Sequence, residues 1–295
     1  MKLSIPIYRH FGRVAQLARA LRSHRRGPWF ESRHDHRNIF ISKIFVTPSL
    51  LQNPKLQQSI LSLSGWLSLE EGLLLYRLTR EKCDKGAVVE IGSFQGKSTV
   101  FMGTALKEKK KGKLYAIDPH LGKTNIGKRD YKPTYKIFMT NIHKFGVDPY
   151  IVSIRNTSQE AAKKWKRPIS LIFIDGLHDY AHALEDISLW TRHLIDGGII
   201  ACHDAFCPYP DVFEAFKKEI LYTDKYSYMS FTNSILWAVK GKPNSSAESL
   251  RYLYNKNLIL FAASFWHTKS LPEKMKQFLV NHLKRIIIKK KVLIK

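Results

Sequence analysis

Cysteine is scarce in this 295-residue chain, with three residues, Cys83, Cys202 and Cys207. An odd number cannot pair completely, and their spacing is that of no metal finger, so a disulfide scaffold and a zinc module are both excluded. Free thiols point to a reducing compartment, and a cytoplasmic location is the simplest expectation. Long apolar runs are also lacking. The longest predominantly apolar stretch, Leu258–Trp266, is about half of the ~20 residues a bilayer crossing requires. Acidic residues are outnumbered, 24 against 49 Lys and Arg, for a formal charge of +25. That excess sits at the ends: +7 in residues 1–38, +10 in residues 242–295, and +8 over the whole middle. A solvated surface accounts for the middle, and no specific nucleic-acid partner is expected. Hydrophobic residues at 44% and aromatics at 12% are enough for a packed core and exclude general disorder.

The first forty residues read unlike a domain start. Gly12–Arg33 is arginine-rich with Glu31 as its one acid, a composition shared with transit peptides and basic arms. A sharper reading exists. Phe30-Glu31-Ser32 can be encoded by TTC-GAA-TCC, the T-arm sequence of transfer-RNA genes, and the preceding residues resemble a D-arm read in frame. Residues 1–37 are therefore expected to be a spurious or disordered extension rather than part of the natural protein. A helical lead-in is expected over 38–85, the main domain over 86–241 and a basic helical tail over 242–295. The tail alternates basic and apolar blocks, which suits either loosely docked helices or peripheral contact with an anionic membrane.

Within the main domain, strand and helix signals alternate. Ser68 and Glu71 form a capping box opening a helix to about Lys82. Short buried runs at 86–92, 114–117, 150–154, 169–174 and 197–202 read as strands. Helices are expected at 134–145, 159–165, 180–194 and 211–220, and a closing strand pair at 226–231 and 234–239. The pattern predicts a doubly wound α/β fold with a mostly parallel seven-stranded sheet and an antiparallel last strand.

Chemistry concentrates at three places. Glu90-Ile91-Gly92-Ser93-Phe94-Gln95-Gly96 follows a strand and enters a helix, where glycines admit close backbone approach and a helix start offers free amides. The loop lacks the Gly-x-Gly-x-x-Gly of a pyrophosphate site, and Ile91 stands where a P-loop needs glycine. An acid beside the glycines suits a ligand with an amino group and no phosphate, as in the methionine part of S-adenosylmethionine. Asp118 ends the next strand, 22 positions beyond Gly96, where a carboxylate can accept ribose hydroxyls; a plain helix or turn cap is its bland reading. Asp175, His178 and Asp179, with His203 and Asp204, follow two consecutive core strands. Asp175, His203 and Asp204 are candidates to converge on a divalent ion such as Mg2+, and His178 is the candidate general base. Helix capping is the alternative for Asp179 and Asp204. Cys202 and Cys207 read as core or rim thiols. The loop 121–133, with Lys123, Lys128 and Arg129, reads as a lid over the acceptor. Lys107–Lys113 reads as solvated surface rather than a nucleic-acid patch.

Over about 175 residues, Gly65 to Lys240 resembles the class I S-adenosylmethionine-dependent methyltransferases, within the branch of macrolide O-methyltransferases and cephalosporin hydroxylase-like proteins. The segments that carry the resemblance are Val89–Thr99, Tyr115–Pro119, Phe173–Tyr180 and Leu194–Asp204. The resemblance implies that Glu90, Gly92, Ser93 and Gly96 hold the methionine end, Asp118 the ribose and Thr157 with Ser158 the adenine edge, Asp175 also bordering the cofactor. It implies a metal at Asp175, His203 and Asp204 in metal-dependent relatives, although His203 stands where some of them carry an acid. The expected activity is O-methylation of a small-molecule or glycan hydroxyl. Nucleic-acid methylation is the enzymatic rival, weakened because Asp175-Gly176-Leu177-His178 replaces the amino-methylating Asn/Asp-Pro-Pro-aromatic motif. A non-catalytic cofactor-binding or membrane-associated scaffold is the rival of another class. The oligomeric state is not legible.

Overall fold

A computed structural model describes residues 49–122, 133–206, 209–266 and 272. The amino-terminal extension, most of the candidate lid with Lys123, Lys128 and Arg129, Cys207 and the end of the basic tail lie outside the described residues.

Residues 49–244 fold as one unit. A 3-10 turn, Ser49–Gln52, leads into α1 (Pro54–Leu61) and α2 (Leu69–Lys82). The capping box at the start of α2 is complete in both directions, Ser68 to Glu71 and back, which satisfies two otherwise orphaned donors. Alternation then follows: β1 (Ala87–Ile91), α3 (Lys97–Lys109), β2 (Leu114–Ile117), α4 (Tyr135–Lys144), β3 (Ile151–Ile154), α5 (Ser158–Lys164), β4 (Ile169–Ile174), α6 (Tyr180–Thr191) and β5 (Leu194–Cys202). Helix α7 (Pro210–Phe216) runs into a π turn, Lys217–Leu221, before β6 (Tyr226–Thr232) and β7 (Ile235–Lys240). Helix α8 (Ser246–Trp266) belongs to a second unit. Among the described residues no helix is long and apolar enough to cross a membrane.

The seven strands form one sheet in the order β3-β2-β1-β4-β5-β7-β6. β1 pairs in parallel with β2 and β4, β2 with β3, and β4 with β5, while β7 is antiparallel to β5 and β6. The doubly wound sheet with its antiparallel last strand is thus the expected one. Side chains alternate across it. Val88, Leu171, Phe173, Ile199 and Ala201 join the core formed with α1 to α4, where Phe101 packs against the bare backbone of Gly72. Their neighbours Val89, Ile172, Ile200 and Cys202 are buried on the opposite face.

At two places the elements differ from the expected ones by more than a residue at an end. Leu194, expected as the last residue of a helix, opens β5, and α6 ends at Thr191. The strand starts before the glycine pair because the β4–β5 register shifts between Ile169 and Leu171, which takes up the extra residues at Gly197 and Gly198 as an irregular, bulge-like step. The helix expected over 211–220 is α7 followed by the π turn rather than one continuous α-helix.

The order places β1 and β4 side by side although α3 and α6 lie on different connections. This is the point where the winding reverses, and in open α/β sheets the crevice at the carboxyl ends of the strands there receives ligands.

Candidate active site

The loop between β1 and α3 turns through three left-handed residues, Gly92 (φ 82°), Phe94 (φ 44°) and Gly96 (φ 90°). Gly92 is required twice over. Its backbone is left-handed, and a β-carbon there would stand 2.0 Å from the Asp175 carbonyl oxygen. The ends of β1 and β4 therefore touch backbone to backbone. Gly96 begins α3 with no side-chain cap, so the helix start offers its first amides to whatever lies above.

Glu90 lies beneath this loop. It is fully buried, and its two oxygens accept the hydroxyls of Ser98 and Thr99, each at 2.5 Å. Burial raises its pKa from the ordinary 4.5 to about 8, against the two hydroxyls. Glu90 thus ties the first turn of α3 to β1. Ser93 is buried with its hydroxyl lacking any hydrogen-bond partner. Asp118, half-buried at the end of β2, accepts the Phe94 amide at 2.8 Å and the His120 amide at 2.6 Å, locking the glycine loop to the β2 end. His120 is buried beside it, its Nδ1 2.9 Å from the Thr134 hydroxyl and its ring packed on Tyr135 and Phe138. On the other side, Lys97 Nζ donates to the Gly65 carbonyl at 2.7 Å, and Trp66, 69% exposed, stands 5.7 Å from the Phe94 ring. Thr157 caps α5 by accepting the Glu160 amide, and Ser158 accepts from the Trp190 indole at 2.8 Å.

Asp175, His178, His203 and Asp204 come together at the ends of β4 and β5, with one ligand atom from each lying within 4.8 Å of all the others. His178 Nε2 is 3.1 Å from Asp204 Oδ2 and 3.8 Å from Asp175 Oδ1. His203 Nδ1 is 3.3 Å from both Asp175 Oδ1 and Asp204 Oδ2. Burial opposes charge on His203, but Asp175, Asp204 and Glu71 outweigh it and hold the imidazole pKa well above its usual value. For Asp204, burial is likewise outweighed, by His178 and His203, and the carboxyl stays well below its usual range. Asp204 is left-handed (φ 54°), a conformation that non-glycine residues adopt at a cost and that clusters at functional sites. Asp179, by contrast, caps α6 by accepting the His182 amide at 3.0 Å. Burial pushes the Cys202 thiol up, which leaves it an inert core group.

Two neighbours of the cluster carried no functional signal in the sequence. Tyr209 lies over His178, rings 4.4 Å apart. Glu71 reaches the cluster from α2, its Oε2 3.6 Å from His203 Nε2. Glu71 was legible as a cap, but nothing in its local sequence marks a partner 132 residues away.

With this geometry in place, comparison with known proteins is direct. Residues 89–205 match the family model of a methyltransferase domain. Among solved structures, the O-methyltransferase NovP is similar at a TM-score of 0.50 and 11% identity, over 59% of this chain and 81% of that one. A putative O-methyltransferase from Klebsiella pneumoniae is similar at a TM-score of 0.47 and 15% identity, over 69% and 95% of the two chains. The calicheamicin methyltransferase CalS11 stands at 0.48 and 13% identity, over 82% and 95%. Strand order, glycine loop and family match together define a class I S-adenosylmethionine-dependent methyltransferase domain. Residues 89–205 belong to the methyltransferase-domain family, and the chain is a methyltransferase.

Proposed function

We propose that this methyltransferase is a cytoplasmic enzyme that methylates a hydroxyl oxygen on a small molecule or glycan, assisted by a divalent ion. The observation that carries the reading is the juncture of Gly92 with Asp175, which sets the glycine loop directly beside the Asp175-His178-His203-Asp204 cluster.

The cofactor fits the residues present. The bare backbone at Gly92, the unpartnered Ser93 hydroxyl and the open start of α3 at Gly96 form a polar cradle for the amino-acid end. Glu90 acts by holding that cradle from below. Asp118 retains lone pairs beyond its two amide bonds and takes the ribose hydroxyls. Thr157 and Ser158 border the adenine, although both hydroxyls already serve α5 and Trp190. When bound, S-adenosylmethionine supplies a sulfonium-activated methyl group.

His178, whose side chain lies at the rim of the cluster, takes the acceptor's hydroxyl proton at Nε2 as that oxygen bonds to the methyl carbon and the carbon–sulfur bond breaks. Asp204 and Asp175 face the imidazolium that results and stabilise it. Tyr209 holds the His178 ring in orientation. A divalent ion also fits: the ring nitrogens of His203 and His178 Nε2 are buried with no hydrogen bond of good geometry, while carboxylates stand close by. Asp175, His203 and Asp204 would hold it, and bound there it would orient the acceptor oxygen and lower its pKa.

Incubation with methyl-labelled S-adenosylmethionine and a panel of catechols, sugars and macrolide-type alcohols tests the reading. Label appearing on an acceptor oxygen, absent with His178→Ala, is the expected result. Label on nitrogen or carbon of an acceptor, or transfer unchanged in His178→Ala, would refute it.

A further inference from the structure

The proposed function leaves the kind of ion open, and the donor set decides it. We infer that the centre formed by Asp175, His203 and Asp204 is built for a transition-series divalent ion in preference to Mg2+, and that Glu71 is the positioning residue that makes His203 a ligand. The inference rests on the divalent-ion part of that function and deepens it.

His203 is 5% exposed, and its Nδ1 lies equally far, 3.3 Å, from one oxygen of Asp175 and one of Asp204. Ligand atoms at ~2.1 Å from a shared ion, at angles between right and tetrahedral, are separated by roughly 3.0–3.4 Å. Both nitrogen–oxygen separations fall in that range. Nδ1 is buried and has no hydrogen-bond partner, and one ligand atom from each of the three groups lies within 4.8 Å of the others. An imidazole nitrogen is a poor partner for Mg2+, which favours oxygen ligands and retained water, but a good one for cobalt, iron or zinc.

Glu71 supplies the second observation. It is 3% exposed, and its Oε2 stands 3.6 Å from Nε2, the nitrogen on the far edge of the His203 ring. The carboxylate is held in place by the Ser68 amide (2.9 Å) and hydroxyl (2.8 Å) and by the Ser234 amide (2.9 Å) and hydroxyl (2.8 Å). A fixed carboxylate beside Nε2 favours a proton there, so an ion bound at Nδ1 displaces only the other ring proton. Metal-binding histidines are oriented by such outer carboxylates, and losing one typically lowers metal affinity by roughly 10- to 100-fold. Helix α2 therefore belongs to the site, although it lies outside the segment that matches the methyltransferase family.

The test titrates Co2+ and Mg2+ separately into the full chain, read by calorimetry and by the visible bands of bound Co2+. The wild type is compared with His203→Asp, Glu71→Gln, Glu71→Asp and Ser68→Ala. The wild type is expected to bind Co2+ at least about 100-fold more tightly than Mg2+, and His203→Asp to shrink that ratio at least tenfold by substituting an oxygen ligand. Glu71→Gln is expected to lower Co2+ affinity by about 10- to 100-fold, with little change for Mg2+. Glu71→Asp, which keeps the charge, is expected to lose less. Ser68→Ala removes one of the four hydrogen bonds that hold the Glu71 carboxylate, so it should lower Tm and shift the Co2+ to Mg2+ ratio less than Glu71→Gln does. If Glu71→Gln does not fold, Glu71→Asp and His203→Asp still decide the matter. Equal affinity for the two ions, a ratio unmoved by His203→Asp, or no Co2+ binding by folded protein would overturn the inference. S-adenosylmethionine binding measured in chelator separates the two levels: its presence with no metal preference sinks this inference alone, and its absence sinks the functional reading itself.

Discussion

The carbonyl oxygen of Asp175 occupies the space that a side chain at Gly92 would need, 2.0 Å from the position of its β-carbon. Because the obstacle is backbone, it cannot swing away. Gly92→Ala must either displace the end of β4 or open the glycine loop, and it also forces alanine into a left-handed conformation. Left-handed strain of about 1–2 kcal/mol and overpacking of about 1–3 kcal/mol add to an expected loss of roughly 2–5 kcal/mol. A urea titration reads it as a lowered midpoint, accompanied by loss of S-adenosylmethionine binding. An unchanged midpoint would mean that the two strand ends are not in contact.

His178→Ala separates binding from chemistry. The imidazole borders Asp204, Asp175 and Tyr209. The expected outcome is a kcat lowered by about 10²- to 10⁴-fold with cofactor Kd within about twofold of wild type. Single-turnover transfer and calorimetry together check both halves. A large rise in cofactor Kd would place His178 in the binding site instead.

Asp118 anchors two amides at once, those of Phe94 and His120. Charge-assisted hydrogen bonds contribute about 1.5–3 kcal/mol each, so Asp118→Ala is expected to weaken cofactor binding by about 10- to 100-fold. Asp118→Asn, which retains one good acceptor, should lose less. Equal affinities in wild type and Asp118→Ala would remove the ribose role.

Glu90 predicts a pH dependence of stability with a definite sign. Burial raises its pKa to about 8 in the folded protein, against an ordinary 4.5 when unfolded. Between those values the folded state holds a proton that the unfolded chain has released, so raising the pH favours unfolding. The contribution is complete below pH 4.5, falls as pH rises through about 8, and is flat above. At about 1.4 kcal/mol per pKa unit it is bounded by roughly 5 kcal/mol. Asp186, raised by burial to about 6, acts in the same direction over the lower part of the window. Glu90→Gln should therefore show a flatter stability profile from pH 5 to 8 than wild type. Parallel profiles for the two proteins would contradict the assignment.

The parts of this arrangement legible in the sequence were those with local causes. β2 and β4 could be bounded to the residue because a short apolar run between polar ends has few other fates. The Ser68–Glu71 capping box is a four-residue pattern and formed as written. The grouping of Asp175, His178, His203 and Asp204 could be anticipated because both segments end neighbouring parallel strands. What escaped depends on distant partners. The early start of β5 is set by its register against β4, not by its own glycines. Glu71 looks complete as a cap, yet the same carboxylate also meets Ser234 and His203 from elements more than 130 residues away. Tyr209 and His120 sit in stretches with no periodicity to mark which way a ring will turn.

Whether this domain binds S-adenosylmethionine at the Gly92 loop is read by calorimetric titration of the cofactor into the full chain. One site per chain with a micromolar Kd, lost in Gly92→Ala and weakened in Asp118→Ala, is the expected result. Folded wild-type protein that takes up no cofactor, or binds it equally well with either substitution, would contradict it.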